Sequence, residues 1–322
     1  MKRVLVTGAT GFIGSHLAKK LNETGYDVVI IAKPSMSRNL AELNKFIGGV
    51  ETLTCDISDY FSIRNTLKVV DPDVVAHLAA LSPVRDSFEK PFSYVQANIV
   101  GTMNIAHAMM ELPDFQSRKL VYASTAEVYG MQKTQPIKED APLNPSSPYS
   151  NTKAMTDMYL RMMSSVYKLN TTVMRCTNTY GRKMDRSFVI EYLMTEMLKG
   201  NPIYIGAPNS IRDYMYVDDH VNAYIKAIEH HKISGEAFNA STGNPITNKE
   251  VALKIADIVG YKKKIVMGKY PPDYPVRPIE SDQPFISLNS EKIKRQLGWQ
   301  PGVKLDDGLK MCVEYWKNKL KA

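Results

Sequence analysis

The sequence predicts an α/β fold, with a doubly wound parallel sheet of the Rossmann type and a smaller mixed α/β lobe at its C-terminal end. Strand-like and helix-like segments alternate from residue 3 to residue 176, which is typical of parallel strands joined by crossover helices. A glycine-rich turn separates the first strand from the first helix, and the alternation ends after Gly181. We therefore expect ligands at the carboxyl ends of the strands.

Short apolar and β-branched runs predict the strands of this sheet. They are Arg3–Thr7, Asp27–Ala32, Glu51–Thr54, Val74–Leu78, Lys119–Ser124 and Thr171–Cys176. Apolar residues at helical spacing predict the helices between them, namely Phe12–Thr24, Ile63–Val70, Pro91–Glu111 and Tyr149–Tyr167. Each crossover helix would bring the chain back to start a parallel strand.

The pattern is less regular in the last third of the chain. Apolar periodicity there predicts helices at Ser187–Lys199, from about Val217, and at Asn248–Val259. Asn248 is a suitable N-cap for the last of these. Four prolines within Tyr270–Pro278 predict an extended loop.

Composition excludes several classes of protein. Hydrophobic residues make up 44% and charged residues 23% of the chain, as in ordinary globular proteins. Cys55, Cys176 and Cys312 are far apart and fit neither a disulfide framework nor a zinc motif, so we expect a reducing cytoplasm and no metal. No apolar run reaches the ~18 residues of a membrane span. The net charge of +8 is dispersed, which favours an anionic small substrate over nucleic acid.

The turn after the first strand reads Gly-Ala-Thr-Gly-Phe-Ile-Gly over residues 8–14. Such a turn presents backbone N–H groups and a helix N-terminus to a pyrophosphate, and glycine allows the close approach. It therefore predicts a dinucleotide site, with an ordinary tight turn as the alternative. The expected contacts are Gly8, Thr10, Gly11, Phe12, Ile13 and Gly14.

The second strand indicates which dinucleotide is bound. It ends at Ala32 without the carboxylate that commonly binds the ribose hydroxyls of NAD. Lys33 and Arg38 suit a 2′-phosphate, so NADP is the predicted cofactor and NAD the alternative. Asp56 and Ile57 would frame the adenine. The segment after the fourth strand would line the cofactor with Leu78, Ala79 and Ala80.

Tyr149 and Lys153 form the second strong motif. Their spacing of one helical turn places both side chains on one face. The lysine is expected to lower the pKa of the phenol, which would let it act as a general base toward a substrate hydroxyl. The segment Ser124–Gly130 follows a predicted strand, so its hydroxyl groups would lie where substrate meets cofactor.

In this order the motifs resemble the extended short-chain dehydrogenase/reductase family, specifically its nucleotide-sugar epimerases and dehydratases. The resemblance covers nearly the whole chain, through Thr7–Gly14, His77–Ala80, Pro148–Lys153, Asn178–Gly181, Arg212–Asp219 and Leu297–Trp299. We expect a dinucleotide-binding domain at residues 1–176 and a nucleotide-sugar lobe at 177–322, with 213–242 packing back on the first domain.

The resemblance implies that Thr125, with Ser124 beside it, binds the sugar 4-hydroxyl. Tyr149 would remove the proton of that hydroxyl, and Lys153 would tune Tyr149. The same resemblance implies contacts with the nucleotide diphosphate and the sugar from Ser82, Arg85, Asn178, Arg212 and Arg277. Arginine suits this role because its guanidinium pairs with phosphate oxygens bidentately.

Glu127 favours a dehydratase. After oxidation at C4, a carboxylate at this position would remove the C5 proton, the 6-hydroxyl would leave, and hydride would return to C6. Ala126 departs from the branch that acts on thymidine-diphosphate glucose, which has an acidic aspartate there. The branches for GDP-mannose and UDP-N-acetylglucosamine also lack it, and Ser82–Phe88 looks closer to the GDP-mannose branch.

The predicted function is therefore 4,6-dehydration of GDP-mannose or a related nucleotide hexose, with the cofactor retained and recycled. A nucleotide-sugar 4-epimerase, a 4-keto-6-deoxysugar reductase and a non-catalytic NADP-binding regulator are the alternatives. The regulator would be expected to lose Tyr149 and Lys153. The resemblance also implies a homodimer or higher homo-oligomer through Pro91–Glu111 and Tyr149–Tyr167, although the methionines of these helices equally suit internal packing.

Overall fold

A computed structural model of the chain describes residues 1–35, 40–181, 188–271 and 278–321. Its strands are β1 Arg3–Thr7, β2 Asp27–Ala32, β3 Glu51–Thr54, β4 Val74–His77, β5 Lys119–Ala123, β6 Thr171–Cys176, β7 Asn178–Tyr180, β8 Ile203–Ile205, β9 Ile211–Arg212, β10 Tyr214–Tyr216, β11 Glu236–Ala240, β12 Ile246–Thr247 and β13 Ile265–Met267.

The α-helices surround these strands. They are α1 Phe12–Glu23, α2 Leu40–Ile47, α3 Tyr60–Val70, α4 Asp86–Glu89, α5 Pro91–Tyr94, α6 Gly101–Met110, α7 Pro148–Tyr167, α8 Val189–Leu198, α9 Val217–Glu229, α10 Asn248–Val259, α11 Glu291–Leu297 and α12 Leu305–Lys321. A π-helical segment, Val95–Val100, joins α5 to α6, and a 3-10 turn, Ala126–Tyr129, follows β5. No helix in the described ranges is long and apolar enough to cross a lipid bilayer.

Seven strands form one parallel sheet in the order β11-β6-β5-β4-β1-β2-β3, which confirms the predicted doubly wound fold. Successive residues of β1 face opposite sides of this sheet. Val4 and Val6 join an apolar cluster with α1 and α9, whereas Leu5 joins a second cluster with α3, α6 and α7. The strands read as continuous apolar runs because helices cover both faces.

The seventh strand comes from a distant part of the chain. Residues Glu236–Ala240 pair with β6, and the preceding helix α9 packs on α1. Helix α8, which precedes α9, packs with α10 and α12, which follow β11, beside the β8–β13 pair. The chain therefore leaves the sheet after β6, forms part of the smaller lobe, and returns to the sheet as β11.

Two predicted elements differ in more than their end residues. The predicted helix Pro91–Glu111 is divided into α5, the π-helical segment and α6. The predicted N-cap Asn248 is wrong, because Thr247 caps α10 in a capping box with Glu250. Residues 272–277 of the predicted loop, and the predicted helix start at Ser187, lie outside the described residues.

Candidate active site

The first strand ends in a turn that only glycine can form. Gly8 has φ +75°, and a Cβ atom on it would lie 2.5 Å from the backbone nitrogen of Ala79. A Cβ atom on Gly14 would lie 2.2 Å from the carbonyl oxygen of Gly8. Gly11 is the N-cap of α1 and makes no side-chain cap, so the first N–H groups of the helix remain available to an anion. This cradle fits a dinucleotide pyrophosphate.

The β1 turn is tied to the neighbouring strand end, where the cofactor was expected. The backbone N–H of Ala79 donates to the Thr7 hydroxyl at 3.1 Å. The same hydroxyl lies 2.7 Å from Nδ1 of His77, and Nε2 of His77 lies 2.8 Å from the Thr102 hydroxyl. Burial, and to a lesser degree the Lys153 charge, lower the pKa of His77 to about 3, so this ring is neutral at physiological pH.

At the end of β2, Lys33 has a partner that the sequence did not reveal. Its Nζ atom lies 3.1 Å from a carboxylate oxygen of Asp56, and the lysine side chain is 58% exposed. Partial burial acts to raise the pKa of Asp56, but hydrogen bonds from Ser58 and the Lys33 cation hold it below its ordinary value. Ile57 packs toward Gly101 at the start of α6. Arg38 lies outside the described residues.

Helix α7 carries the predicted tyrosine and lysine. Ser147 caps it in a reciprocal capping box with Ser150, so the helix begins at a fixed residue and Tyr149 lies in its first turn. The Tyr149 ring meets the edge of the Tyr94 ring, with centroids 6.4 Å apart. Lys153 lies one turn further on and is buried.

Three predicted catalytic side chains converge at the carboxyl end of β5. Thr125 caps the 3-10 turn by accepting a hydrogen bond from the Glu127 backbone N–H at 3.3 Å. The side chain of Thr125 is also hydrogen-bonded to Tyr149, and the Glu127 carboxylate lies close enough to act on the charge of that phenol. A hydroxyl, a carboxylate and a phenol therefore meet beside the cradle for the dinucleotide.

The expected lowering of the Tyr149 pKa is wrong for the protein alone. Burial raises the pKa of Tyr149, and the Glu127 carboxylate raises it further, whereas the hydrogen bond from Thr125 acts in the opposite direction. Lys153 is itself affected by burial, which lowers its pKa to about 7 although the nearby Asp157 carboxylate opposes this. Its Nζ atom lies 4.4 Å from the centroid of the Tyr122 ring.

The remaining predicted substrate residues are not part of this cluster of Thr125, Glu127 and Tyr149. Ser82 and Asn178 are exposed, and the guanidinium of Arg85 lies 5.8 Å from the centroid of the Tyr270 ring. Arg212 donates to the carboxylate of Asp282 at 3.0 Å and to a neighbouring carbonyl at 2.8 Å. Arg277 lies outside the described residues.

Sequence reasoning missed the buried polar group beneath the site. Arg175 and Asp157 form an ion pair whose side chains are both 0% exposed. The hydroxyl of Ser124, predicted to face the sugar, donates to this carboxylate at 3.1 Å. An arginine within the otherwise uncharged strand Thr171–Cys176 was the available signal, because arginine is rarely buried unless paired.

Comparison with known proteins shows which enzymes the chain is similar to. The family model of GDP-mannose 4,6 dehydratase matches residues 5–312. A putative UDP-glucose 4-epimerase of Methanocaldococcus jannaschii is 32% identical over 98% of both chains.

Two solved structures share the fold over nearly their full length. The UDP-glucose 4-epimerase of Thermotoga maritima with UDP-glucose superposes with a TM-score of 0.87 and 34% identity, covering 99% of both chains. The dTDP-glucose 4,6-dehydratase of Streptomyces venezuelae with NAD bound superposes with a TM-score of 0.86 and 27% identity, covering 99% of this chain and 98% of that one. Dehydratases and epimerases thus occur at comparable similarity.

Proposed function

Because the chain belongs to the extended short-chain family of NAD-dependent nucleotide-sugar dehydratases and epimerases, we propose that it catalyses the 4,6-dehydration of a nucleotide hexose. The observation that carries this proposal is the convergence of Thr125, Glu127 and Tyr149 at the end of β5. Oxidation at C4 requires one base, whereas elimination across C5 and C6 requires a second proton acceptor, and Glu127 supplies it.

In the proposed reaction, Thr125 binds the 4-hydroxyl and Tyr149 takes its proton. A bound oxidised nicotinamide would supply the hydride acceptor and a positive charge that opposes the raised pKa of Tyr149. The C4 ketone acidifies the C5 proton, which Glu127 removes. Ala126 has no proton to donate, so Glu127 passes this proton to the 6-hydroxyl, which leaves as water. The bound cofactor would supply the hydride that C6 receives, and the proton that Tyr149 gained from the 4-hydroxyl balances the one then added at C5.

In the protein without a bound cofactor Tyr149 keeps its proton, because burial and Glu127 both raise its pKa. The phenol would give up this proton to solvent when the oxidised nicotinamide binds, and the resulting phenolate is the base that accepts the proton of the 4-hydroxyl. Lys153 lies one turn along the same helix face, and its pKa of about 7 allows the amine to hold or release a proton at neutral pH. We assign Lys153 the role of stabilising the phenolate when the site is loaded. Ser124 is assigned a supporting role, since its hydroxyl already donates to Asp157.

The proposed substrate is GDP-mannose or a related nucleotide hexose. The family model that matches residues 5–312 supports this choice, as does the absence of an acid at Ala126. In this proposal residues 1–176 hold the cofactor and residues 177–322 hold the nucleotide sugar. Arg85, Asn178, Arg212 and Arg277, together with Ser82, contact the sugar nucleotide.

A panel of activated sugars tests the proposal directly. Purified protein is mixed separately with GDP-mannose, UDP-N-acetylglucosamine, UDP-glucose and thymidine-diphosphate glucose, and the products are weighed by mass spectrometry. We expect one of the four sugars to lose one water when it is mixed with the wild type. With Tyr149→Phe, we expect none of the four to lose water. Glu127→Gln keeps the shape of the side chain but not its basicity, so it should end water loss. A Glu127→Gln protein that dehydrates normally would refute the role of this carboxylate.

A 4-epimerase is the second candidate, because relatives with that name are among the most similar in sequence, at 32% and 34% identity. It predicts an isomer of unchanged mass in the same panel. Glu127→Gln separates the two functions, since an epimerase needs no proton transfer at C5. Substantial epimerase activity in that variant, with no water loss in the wild type, would establish the alternative.

We propose NADP as the cofactor, although the structural relatives named above include an NAD complex. Support comes from Lys33 and from the lack of a carboxylate at Ala32, the last residue of β2. The Lys33–Asp56 pair is half-exposed, so a 2′-phosphate could compete for the lysine. Denaturing the purified protein and weighing the released dinucleotide distinguishes the two forms, and released NAD alone would refute this proposal.

We also propose a homodimer through α7. Met109 and Met163 are buried in the core, but four other residues form an exposed apolar stripe along α7, with exposures between 37% and 61%: Met155, Met158, Met162 and Val166. Such a stripe is typical of a protein interface. Met158→Glu should convert the protein to a monomer in analytical ultracentrifugation, whereas Met311→Glu, an exposed methionine on α12, should not. A wild-type monomer would refute the dimer.

A further inference from the structure

A fully buried ion pair lies beneath the 3-10 turn Ala126–Tyr129 and has no role in the proposed chemistry. Nε of Arg175 donates to one carboxylate oxygen of Asp157 at 2.8 Å, and Nη2 donates to the other at 2.9 Å. Both side chains are inaccessible to solvent. Burying two charges carries a large desolvation penalty, so the pair is poor evidence for stability and calls for another explanation.

The pair holds both ends of the segment that carries Thr125 and Glu127. On the N-terminal side, the Ser124 hydroxyl donates to Asp157 at 3.1 Å. On the C-terminal side, Nη1 of Arg175 donates to the Tyr129 hydroxyl at 2.8 Å, and that hydroxyl donates to Asn239 at 2.7 Å. The 3-10 turn is therefore attached at each end to one charged pair.

The same pair belongs to the helix that carries the phenol and the amine. Asp157 lies on α7, one turn beyond Lys153 and two turns beyond Tyr149, and Arg175 lies on the adjoining strand β6. The charged group that acts on Lys153 is Asp157 on its own helix, and the Tyr122 ring lies beside its Nζ atom. On β4, His77 is held neutral by burial and by the Lys153 charge.

We propose that the Asp157–Arg175 pair, with Tyr129, positions Thr125 and Glu127 relative to Tyr149. Asp157, Arg175 and Tyr129 are positioning residues, because they act through the turn and do not face the sugar. The expected effect of this positioning on kcat rests on the proposed function. The expected effect of the pair on the order of the 3-10 turn does not.

Tyr129→Phe tests the proposal with the smallest change. It removes one hydroxyl and keeps the ring in place. We expect amide hydrogen exchange in the peptide of residues 124–131 to become at least tenfold faster, measured by mass spectrometry on the full-length protein. We also expect kcat to fall at least tenfold while KM changes less than twofold, because the substrate contacts of the smaller lobe are untouched.

Arg118→Met is the matched control. It breaks another arginine–carboxylate pair, with Asp71 at 2.7 Å, which lies near the amino end of β5. This variant should leave both the exchange of residues 124–131 and kcat unchanged. A general effect of losing an arginine–carboxylate pair would change them in Arg118→Met as well as in a variant that lacks the Asp157–Arg175 pair, and that result would overturn the proposal.

The double variant Asp157→Leu/Arg175→Met removes the pair without leaving an unpaired charge, so it should fold. In this double variant, amide hydrogen exchange of residues 124–131 should be at least as fast as in Tyr129→Phe, and kcat should be at least as low. Exchange equal to wild type in both variants, or faster exchange with wild-type kcat, overturns the inference. If the wild type converts none of the four activated sugars, the proposed function fails, and the exchange data alone decide whether the pair fixes the turn.

Discussion

Lys153 is predicted to reduce the stability of the folded protein at neutral and lower pH. The residue is 3% exposed, and burial lowers its pKa from the ordinary 10.5 to about 7. Each pKa unit corresponds to ~1.4 kcal/mol, so this fall of about 3.5 is equivalent to roughly 5 kcal/mol at a pH below 7. Between pH 7 and 10.5 the unfolded chain binds a proton that the folded protein does not, so stability rises with pH in that window.

Lys153→Met removes the charge and keeps the unbranched apolar stem. In protein freed of dinucleotide, we expect this change to raise the free energy of unfolding at pH 6, measured in urea. Between pH 6 and pH 9 the wild type should gain roughly 2–3 kcal/mol more than the variant. Lys310→Met, at an exposed position of α12, is the control and should follow the wild type. A Lys153→Met protein that is less stable than wild type at pH 6, with an equal pH dependence, would refute this reasoning.

Three further outcomes follow from the structure. Gly14→Ala places a Cβ atom 2.2 Å from a backbone carbonyl oxygen, so the purified variant should carry no dinucleotide, as measured by absorbance after denaturation. Gly130→Ala places a Cβ atom 1.7 Å from the carbonyl oxygen of Asn144, at a residue with φ +60°. It should lower Tm far more than Gly25→Ala, where the Cβ atom meets no neighbour and the positive φ alone costs roughly 1 kcal/mol. The His77 pKa of about 3 means that the unfolded chain alone binds a proton as pH falls below 6.5, so stability should decline toward pH 3. His77→Asn should make that decline shallower in urea titrations, and an unchanged decline would contradict it.

The sheet could be predicted because its signals are local. β1, β2, β3 and β6 have the predicted bounds. For β1 and β2 this follows from apolar runs between turn residues, which mark strands covered on both faces. β11 was missed as a strand, because the short segment Glu236–Ala240 is interrupted by the polar residue Asn239 and is recognised only by its pairing with β6. The wrong cap at Asn248 has a different cause, because Thr247 and Glu250 already show the local spacing of a capping box, and that spacing favours Thr247 over Asn248.

The candidate site also contains features that local sequence predicts and features that it does not. The glycine turn and the Tyr149–Lys153 spacing are set by neighbouring residues, and the structure brings both to the carboxyl edge of the sheet. The partners of Lys33, Arg212 and Ser124 come from distant segments, so no local pattern contains them. The predicted direction of the Tyr149 pKa shift was wrong because burial by tertiary packing and the Glu127 carboxylate both raise this pKa, and neither is visible in the Tyr149–Lys153 spacing.

The return of β11 to the sheet has a consequence for synthesis of the protein. While the ribosome has released only the first six sheet strands, β6 is an edge strand with unpaired N–H and C=O groups. That edge is covered only when Glu236–Ala240 emerges, long after the dinucleotide turn has been made. The nascent chain must therefore keep an incomplete sheet from pairing with other chains while about sixty more residues, the gap between Cys176 and Glu236, are translated.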